Sequence, residues 1–236
     1  MKNSAQLLTT CLLILQLYSC GKEQSDTITQ PVGKQLYIPS KVWQVPDNND
    51  FKSESSEYCY KRMKESDNIA IFWAKEYGNN PVNNTEPALR FNPENILNEG
   101  ERIYKYYVND LKFVEKGNSI TDKYKCLIFI IDSKEGTAFG GGEENKVGIF
   151  WAPAGRMSKA PFGALAHELG HSFQYLLSAD RVKAGNTSGE GGGSYSFVEM
   201  TSQYMLWQVY PEWMTFENYH LVDFMKQTHY AFLHEI

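Results

Sequence analysis

The chain has no basic cluster and few cysteines. Its 236 residues carry a net charge of −5, and no run of basic residues is longer than Lys61-Arg62. Because a nucleic-acid-binding surface needs a basic face, we expect no nucleic-acid partner. Only four cysteines are present, but a chain of this length buries roughly 70% of its unfolded surface and can form a core without disulfides. Apolar residues (42%) and charged residues (22%) are near globular averages, which excludes disorder along the whole chain.

The N-terminal segment lacks an apolar run long enough to cross a membrane. Leu7 to Leu17 is a run of eleven largely apolar residues, which is the length of a signal-peptide core rather than of a membrane span. The run ends in Leu17-Tyr18-Ser19-Cys20, which resembles the lipobox of bacterial lipoproteins. This resemblance implies that Cys20 is lipidated and becomes the mature N-terminus. An ordinary secretory signal with an incidental cysteine is the alternative.

These features predict how the chain is organised and where it is found. Residues 1–20 are expected to be a lipoprotein signal peptide and residues 21–40 a polar tether, followed by one domain over residues 41–236. The protein is then held at the bacterial cell envelope, on the outer membrane or the cell surface, and touches the membrane only through its lipid. The chain stops inside a helical pattern, which suggests that the C-terminus is truncated.

Two cysteines remain in the domain after Cys11 leaves with the signal and Cys20 carries lipid. Outside the cytoplasm Cys59 and Cys126 can form a disulfide. Cys126 lies in an apolar run, however, where a buried cysteine behaves as a small hydrophobic residue. Both outcomes stay open at the level of the sequence.

Hydrophobic periodicity predicts an α+β domain. Short apolar runs predict strands at 68–73, 124–131 and 147–152. Helices are predicted at 53–65, 92–115, 162–177 and 197–209 and from Glu217 to the end. The glycine-rich segments 136–145 and 185–194 are expected to form a hairpin or loops, mobile at the edge of a cleft.

The residues that carry chemistry are His167-Glu168-Leu169-Gly170-His171. Two histidines four positions apart on a helix lie about 40° apart around its axis, so both can bind a zinc ion from one side. Glu168 lies about 100° around the helix and therefore beside the metal, where its carboxylate can take a proton from a water. Gly170 permits close packing beneath the site. The opposite face is apolar and is expected in the core, with Leu165, Leu169, Phe173 and Leu176.

This motif resembles that of the zincin metallopeptidases, and the resemblance covers about residues 68–210. It implies a zincin-like fold, in which a small mixed sheet packs on the motif helix and further helices follow. It also implies a bound Zn²⁺, with Glu168 as the catalytic general base. In zincins an extended peptide substrate adds to an edge strand before the motif helix, and the strand at Val147–Ala152 is expected to have that role.

The third metal ligand distinguishes the branches of this group. The metzincin pattern would need glycine and histidine where this chain has Gln174 and Leu177, so that branch is excluded. The gluzincin branch takes a Glu from a following helix, and Glu199 fits because it lies 28 residues after His171 near the start of a predicted helix. Glu190 is the rival ligand, although it lies in a glycine-rich segment too loose for a rigid ligand.

Other features of the resemblance are less specific. Gluzincins often carry an acid four residues after the ligand Glu, whereas this chain has Gln203 there. The motif helix and the helix around Glu199 are together similar to a group of secreted bacterial proteins of unknown function. The group that stabilises the oxyanion stays open among His220, His229, His234, Tyr195 and Tyr204.

The sequence therefore predicts a zinc-dependent peptidase, with His167, His171 and Glu199 as metal ligands. Its expected partners are peptides or proteins from the extracellular space or a host. A different class of function is a surface module that binds glycans or proteins on the same scaffold without turnover. The aromatic content of 14% would suit stacking on sugars. The presence of Glu168 favours the enzyme.

Overall fold

The apolar runs of the sequence form the centre of a mixed β-sheet. The computed structural model describes residues 33–132, 136–157, 160, 162–184, 195–212 and 226. Within them a five-stranded sheet has the order β1-β2-β3-β5-β4. Strands β2, β3 and β5 are parallel, and β1 and β4 pair antiparallel at the two edges. The strands are β1 (Met63–Glu65), β2 (Ile69–Trp73), β3 (Cys126–Ile131), β4 (Phe139–Glu143) and β5 (Val147–Pro153).

The three central strands are covered on both faces, which explains why they are uninterrupted apolar runs rather than alternating ones. Every residue of β2, β3 and β5 is buried. On one face, Phe72 and Phe129 stack with ring centroids 5.5 Å apart, and Tyr58 packs edge-on against Phe129. Helices cover the other face, where a Cβ on Gly148 would lie 3.0 Å from Leu176. The fold is therefore α+β, as predicted.

The first long helix, α1 (Pro93–Lys105), begins where the sequence predicts. The side chain of Asn92 accepts a hydrogen bond from the backbone N–H of Glu94, and Pro93 occupies the first helical position. A π-helical turn continues it over Tyr106–Asp110, and Lys112 has a positive φ of 50°, so the helix ends before the predicted limit at 115. The buried Tyr107 donates a hydrogen bond of 2.9 Å to the carbonyl of Ala166 and so ties this segment to the motif helix.

The motif helix, α3 (Gly163–Lys183), follows a short helix, α2 (Ala154–Met157), and is longer than predicted. The apolar face expected from the sequence is confirmed, because Leu165, Leu169, Phe173 and Leu176 are buried. The extension beyond Leu177 is held by Asp180, whose carboxylate accepts hydrogen bonds of 2.6 Å from Ser119 Oγ and from the backbone N–H of Ile120. The contact is between distant parts of the chain and leaves no periodic signal in the sequence.

The order of the strands corrects the prediction that Val147–Ala152 forms the sheet edge. Strand β5 lies between β3 and β4, so the edge next to the motif helix is β4. The glycine-rich segment 136–145, predicted to be a hairpin or a mobile loop, contains this strand, which forms a hairpin with β5. The strand lies close above α3. An ideal Cβ on Gly140 would be only 2.6 Å from the Cβ of His171, and one on Gly142 would be 2.5 Å from Tyr175 Cε1. The glycines thus allow an edge strand to contact the helix backbone.

The brief helix predicted around 53–65, next to short extended pieces, is shorter than expected. That stretch contains a 3-10 turn at Tyr60–Arg62 followed by β1. The guanidinium of Arg62 is buried and donates to the carbonyls of Glu54 (3.0 Å) and Glu57 (3.2 Å) and to that of Ser56. These carbonyls would accept backbone hydrogen bonds in a helix, so the arginine side chain replaces the helical pattern.

Residues 33–40, assigned to the tether from the sequence, pack against the sheet. The contacts between residues separate the chain into two units, and the second unit begins at Gly33. Gln35 forms a parallel bridge with Tyr124, and the backbone N–H of Ser40 donates to Glu144 at 2.8 Å. Partly buried side chains contact the core at Leu36, Tyr37 and Ile38. The folded part therefore begins before the predicted boundary because these apolar side chains have a surface to cover.

The two cysteines of the domain do not form a disulfide. Cys59 and Cys126 are both free and buried. Complete burial raises the pKa of the Cys126 thiol to about 12, so it stays protonated. Cys126 is a small core residue facing the motif helix.

Several predicted features lie outside the described residues. They are Cys20 and the signal peptide, the loop 185–194 with Glu190, the helix from Glu217, and His220, His229 and His234. None of the described helices has the length and hydrophobicity of a transmembrane span.

Candidate metal centre

The site forms where helix α4 (Tyr195–Val209) crosses α3. At the crossing, Ser202 Oγ donates a hydrogen bond to the carbonyl of His167. An ideal Cβ on Gly170 would lie only 2.5 Å from Ser202 Oγ. Gly170 thus permits the close approach that the sequence predicted. Because Glu199 lies one turn before Ser202, this contact sets its carboxylate beside the two histidines.

Gly170→Ala is expected to destabilise the protein by about 1–3 kcal/mol, because the added methyl group overlaps Ser202 and forces the helices apart. Urea unfolding would measure the change in the free energy of unfolding. Gly155→Ala is the matched control, since a Cβ there meets nothing within 4 Å. Equal stability of both variants would contradict the close helix crossing.

Three ligand atoms converge at this crossing. His167 Nε2 lies 3.1 Å from Glu199 Oε2 and 3.1 Å from His171 Nε2, and His171 Nε2 lies 3.4 Å from Glu199 Oε2. In a tetrahedral zinc site with bonds of about 2.0–2.2 Å, neighbouring ligand atoms are about 3.3–3.6 Å apart. The three residues can therefore hold one metal ion, and they form such a group without any rearrangement of the backbone.

The hydrogen bonds behind the histidines determine which nitrogen faces the site. Gln174 Nε2 donates to the carbonyl of Val198 at 2.8 Å, so its Oε1 faces His171 Nδ1, 3.0 Å away. Gln203 Oε1 lies 3.1 Å from His167 Nδ1. Since both Nδ1 atoms face acceptors, each carries the proton, and both Nε2 atoms present lone pairs to the site.

The cluster is therefore suited to holding a cation. Two imidazole lone pairs and a carboxylate oxygen face one another, and without positive charge none of these contacts is a hydrogen bond. A metal ion among the three atoms satisfies all of them at once, so the donor set fits a metal.

Burial and charge act in opposite directions on these groups. The side chains of His167, His171 and Glu199 are 13%, 9% and 18% exposed. Burial lowers the pKa of His171, but hydrogen bonds with Glu199 and Gln174 outweigh it and raise that pKa above its ordinary value. Burial would raise the pKa of Glu199, yet its contacts with the histidines hold that pKa well below the usual range. The site thus attracts positive charge strongly.

Glu168 lies beside the cluster and not in it. Its side chain is mostly buried, and an ideal Cβ on Gly140 would lie 3.1 Å from Glu168 Oε2, so the carboxylate is under strand β4. Burial raises the pKa of Glu168, and the nearby histidines oppose this increase. Its carboxylate accepts no hydrogen bond from a residue that the structure describes. It is therefore available to accept and release a proton.

A cavity of about 490 Å³ opens over the three ligands and Glu168. Strand β4 and the segment before it form one wall, and α4 forms another. Its lining also includes Phe139, Arg156, Val198, Gln203 and Leu206. This volume holds several residues of an extended peptide or a comparable ligand.

The structure brings the three predicted ligands together but does not bring Tyr204 to the site. Tyr204 is 54% exposed and is not among the described residues that line the cavity, so this candidate for oxyanion stabilisation is wrong. Tyr195 lies in α4, with its side chain outside the described part of the chain.

Sequence reasoning missed two residues of the site. Gln174 served only to exclude a metzincin, although its position three residues after His171 put it on the same helical face. Arg156 had no signal in the sequence, because its place in the cavity depends on the turn from β5 into α2.

No curated protein and no solved structure matches the chain. The model of one protein family matches residues 29–236, which include every described residue of the site. Its description names no activity. Because this match covers most of the chain, the protein belongs to the family described as Family of unknown function (DUF6055).

Proposed function

We propose that the protein is a zinc-dependent peptidase of the zincin type that hydrolyses peptide bonds of extracellular or host-derived proteins. The observation that carries this proposal is the convergence of His167 Nε2, His171 Nε2 and Glu199 Oε2. The carboxylate of Glu168 lies beside them, is buried and accepts no hydrogen bond from the described residues. A structural metal site would have no use for such a carboxylate, and a fourth protein ligand would close it.

The donor set favours zinc. Two imidazoles and one carboxylate suit zinc in a catalytic site that leaves a further position open, whereas calcium and magnesium prefer all-oxygen sites. When bound, zinc would polarise the scissile carbonyl and lower the pKa of a coordinated water to about 7. Gln174 and Gln203 hold both imidazole rings in the orientation that binding requires.

Glu168 would move the protons of the reaction. Its carboxylate would accept a proton from the attacking water and then give it to the amine of the leaving peptide. The burial that raises the pKa of Glu168 suits both steps, since a carboxylate with an ordinary pKa holds a proton too weakly to deliver it. Strand β4 covers this carboxylate at Gly140, where an ideal Cβ would lie 3.1 Å from Glu168 Oε2.

The substrate would lie along strand β4. This strand has β5 as its neighbour on one side and no neighbour on the other among the described residues, and it borders the cavity at Phe139 and Gly140. An extended peptide can add to such an edge by backbone hydrogen bonds, and antiparallel pairing is the more stable arrangement. A peptide bond opposite Gly140 would then be next to Glu168.

The test is a metal analysis of the purified protein together with cleavage of a diverse peptide library. We expect about one zinc ion per chain and cleavage that a chelator removes and added zinc restores. Protein that carries zinc but cleaves no peptide would contradict the peptidase and leave the metal site in place.

One observation favours the second candidate, a module that binds glycans or proteins without turnover. Trp43 and Phe139 are 44% and 43% exposed and pack edge to face, with ring centroids 4.9 Å apart. Phe139 also lines the cavity, so an aromatic surface lies at its entrance. Such a surface can stack on a sugar or hold an apolar side chain. Glycan-array binding without peptide cleavage would support this alternative.

We also propose that lipid on Cys20 holds the protein at the cell envelope. Cys20→Ser is expected to release the protein from membranes or to leave its signal peptide uncleaved, because the thiol is the group that is lipidated. Fractionation and mass spectrometry of the mature N-terminus would detect either result, with Cys11→Ser as the control. Membrane retention and normal processing of Cys20→Ser would contradict the lipid anchor.

A further inference from the structure

Arg156 has a fixed position at the cavity. It lies in α2, which continues directly from β5 and is anchored by Ala154 and Met157, both almost fully buried. Arg156 itself is exposed, and its side chain lines the cavity together with His167 and Glu168. The buried residues on either side thus hold the backbone of α2 while the guanidinium reaches the cavity.

Inside the described part of the protein, the guanidinium interacts with Glu168 only as a charge at a distance. It makes no hydrogen bond or ion pair there, and it is the one Lys or Arg among the described residues that line the cavity. Of the two acids of the cavity, Glu199 contacts the histidines, and Glu168 is too far from Arg156 for an ion pair. A free guanidinium on an open surface is ordinary, but here it faces a concave site that holds Glu168 and three metal-binding side chains.

The strand pairing indicates which end of a substrate Arg156 meets. Phe139 begins β4 and pairs with Trp151 near the end of β5, which then runs into α2. A Cβ on Gly136 would lie 3.8 Å from Arg156 Cδ, so Arg156 is at the start of β4. A peptide antiparallel to β4 has its C-terminal end there.

We propose that Arg156 binds a carboxylate on the C-terminal side of the scissile bond and so selects peptides that carry one. The carboxylate belongs either to an acidic side chain or to the free C-terminus, and a planar guanidinium binds both in the same bidentate manner. This inference rests on the proposed peptidase function, because it deepens the substrate class of the same site.

The experiment measures binding rather than cleavage, so that it is independent of turnover. Zinc-loaded protein with Glu168→Gln is immobilised and offered one octapeptide library in four matched forms. The first pair of forms differs only in having a free or an amidated C-terminus. The forms of the second pair are both amidated and differ only in having Glu or Gln as the last residue. Mass spectrometry quantifies the retained peptides. The same measurement is made after adding Arg156→Gln, Arg156→Lys or Arg181→Gln.

We expect peptides with the preferred carboxylate to be retained about 10- to 100-fold better than their neutral partners. Arg156→Gln should remove that preference, and Arg156→Lys should keep only part of it because lysine lacks the bidentate geometry. Arg181→Gln, an exposed control outside the cavity, should leave the preference unchanged. Comparison of the four forms identifies the C-terminus or the acidic side chain as the source.

Three results would overturn the inference: equal retention of charged and neutral peptides, no retention of any form, or a preference that survives Arg156→Gln. The peptidase proposal fails separately, through absence of library cleavage by the zinc-loaded wild-type protein. A protein that cleaves peptides without regard to charge would keep its proposed function and lose this specificity.

Discussion

Glu168→Gln is expected to remove nearly all peptide cleavage while leaving the zinc content and the fold unchanged. The amide keeps the shape of the side chain but cannot accept the proton of the attacking water. General acid–base catalysis of this kind contributes about 100- to 10,000-fold in rate, which corresponds to about 3–5 kcal/mol of activation free energy. Because Glu168 lies beside the cluster formed by His167, His171 and Glu199, its loss should not release the metal.

The measurement is kcat/KM on a peptide found in the library, with zinc content and thermal unfolding recorded in parallel. Glu86→Gln is the control, since Glu86 is an exposed carboxylate outside the cavity and should have wild-type activity. The variant at Glu168 should still bind peptide, because the edge of β4 and the metal ligands are intact. Cleavage within about tenfold of wild type would show that Glu168 is not the general base.

Removal of any of the three ligands is expected to release zinc. Glu199→Ala and His171→Ala each delete one of the three atoms that meet at 3.1–3.4 Å. Each should weaken zinc binding by more than the roughly 10- to 100-fold that is typical for loss of a group that only orients a ligand. Gln203→Ala provides that comparison, since Gln203 contacts His167 Nδ1 behind the site. Competition with a chromophoric chelator would measure all three affinities.

Glu190→Ala is the control that distinguishes the two acids considered from the sequence. It should retain zinc, because Glu199 already supplies the oxygen ligand next to both histidines. If Glu190→Ala releases the metal and Glu199→Ala does not, the assignment of the ligand is wrong. The contact between His167 and Glu199 would then be only an ion pair.

The local patterns of the sequence were sufficient to predict the motif helix and to place His167 and His171 on the same face of it. Spacing of four on a helix puts His167 and His171 on one face whatever surrounds them, and the apolar residues of the opposite face require burial. Glu199 came from the resemblance to the gluzincins, which take a Glu from a following helix, and the sequence left Glu190 as its rival. The buried strands β2, β3 and β5 were recognised because both of their faces need apolar residues.

Contacts between distant segments were not accessible in the same way. The sequence predicted a helix at 53–65, but the guanidinium of Arg62 takes the carbonyls that a helix would use. It gave α3 an early end, whereas Asp180 continues the helix by binding residues 119 and 120. In each case one side chain supplies hydrogen bonds to a backbone that local propensity alone would arrange differently.

The sequence by itself determined that this chain folds as an α+β domain and carries two histidines on one face of a helix whose opposite face is apolar. Only the tertiary structure decided which strand lies at the sheet edge. The three glycines of β4 give no strand pattern in the sequence, and their place at the edge depends on the close contact of Gly140 and Gly142 with α3. The tertiary structure also decided that Arg156 faces the metal ligands. The physical reason is that periodicity reports burial of one face of one element, whereas strand order and cavity lining depend on which elements meet.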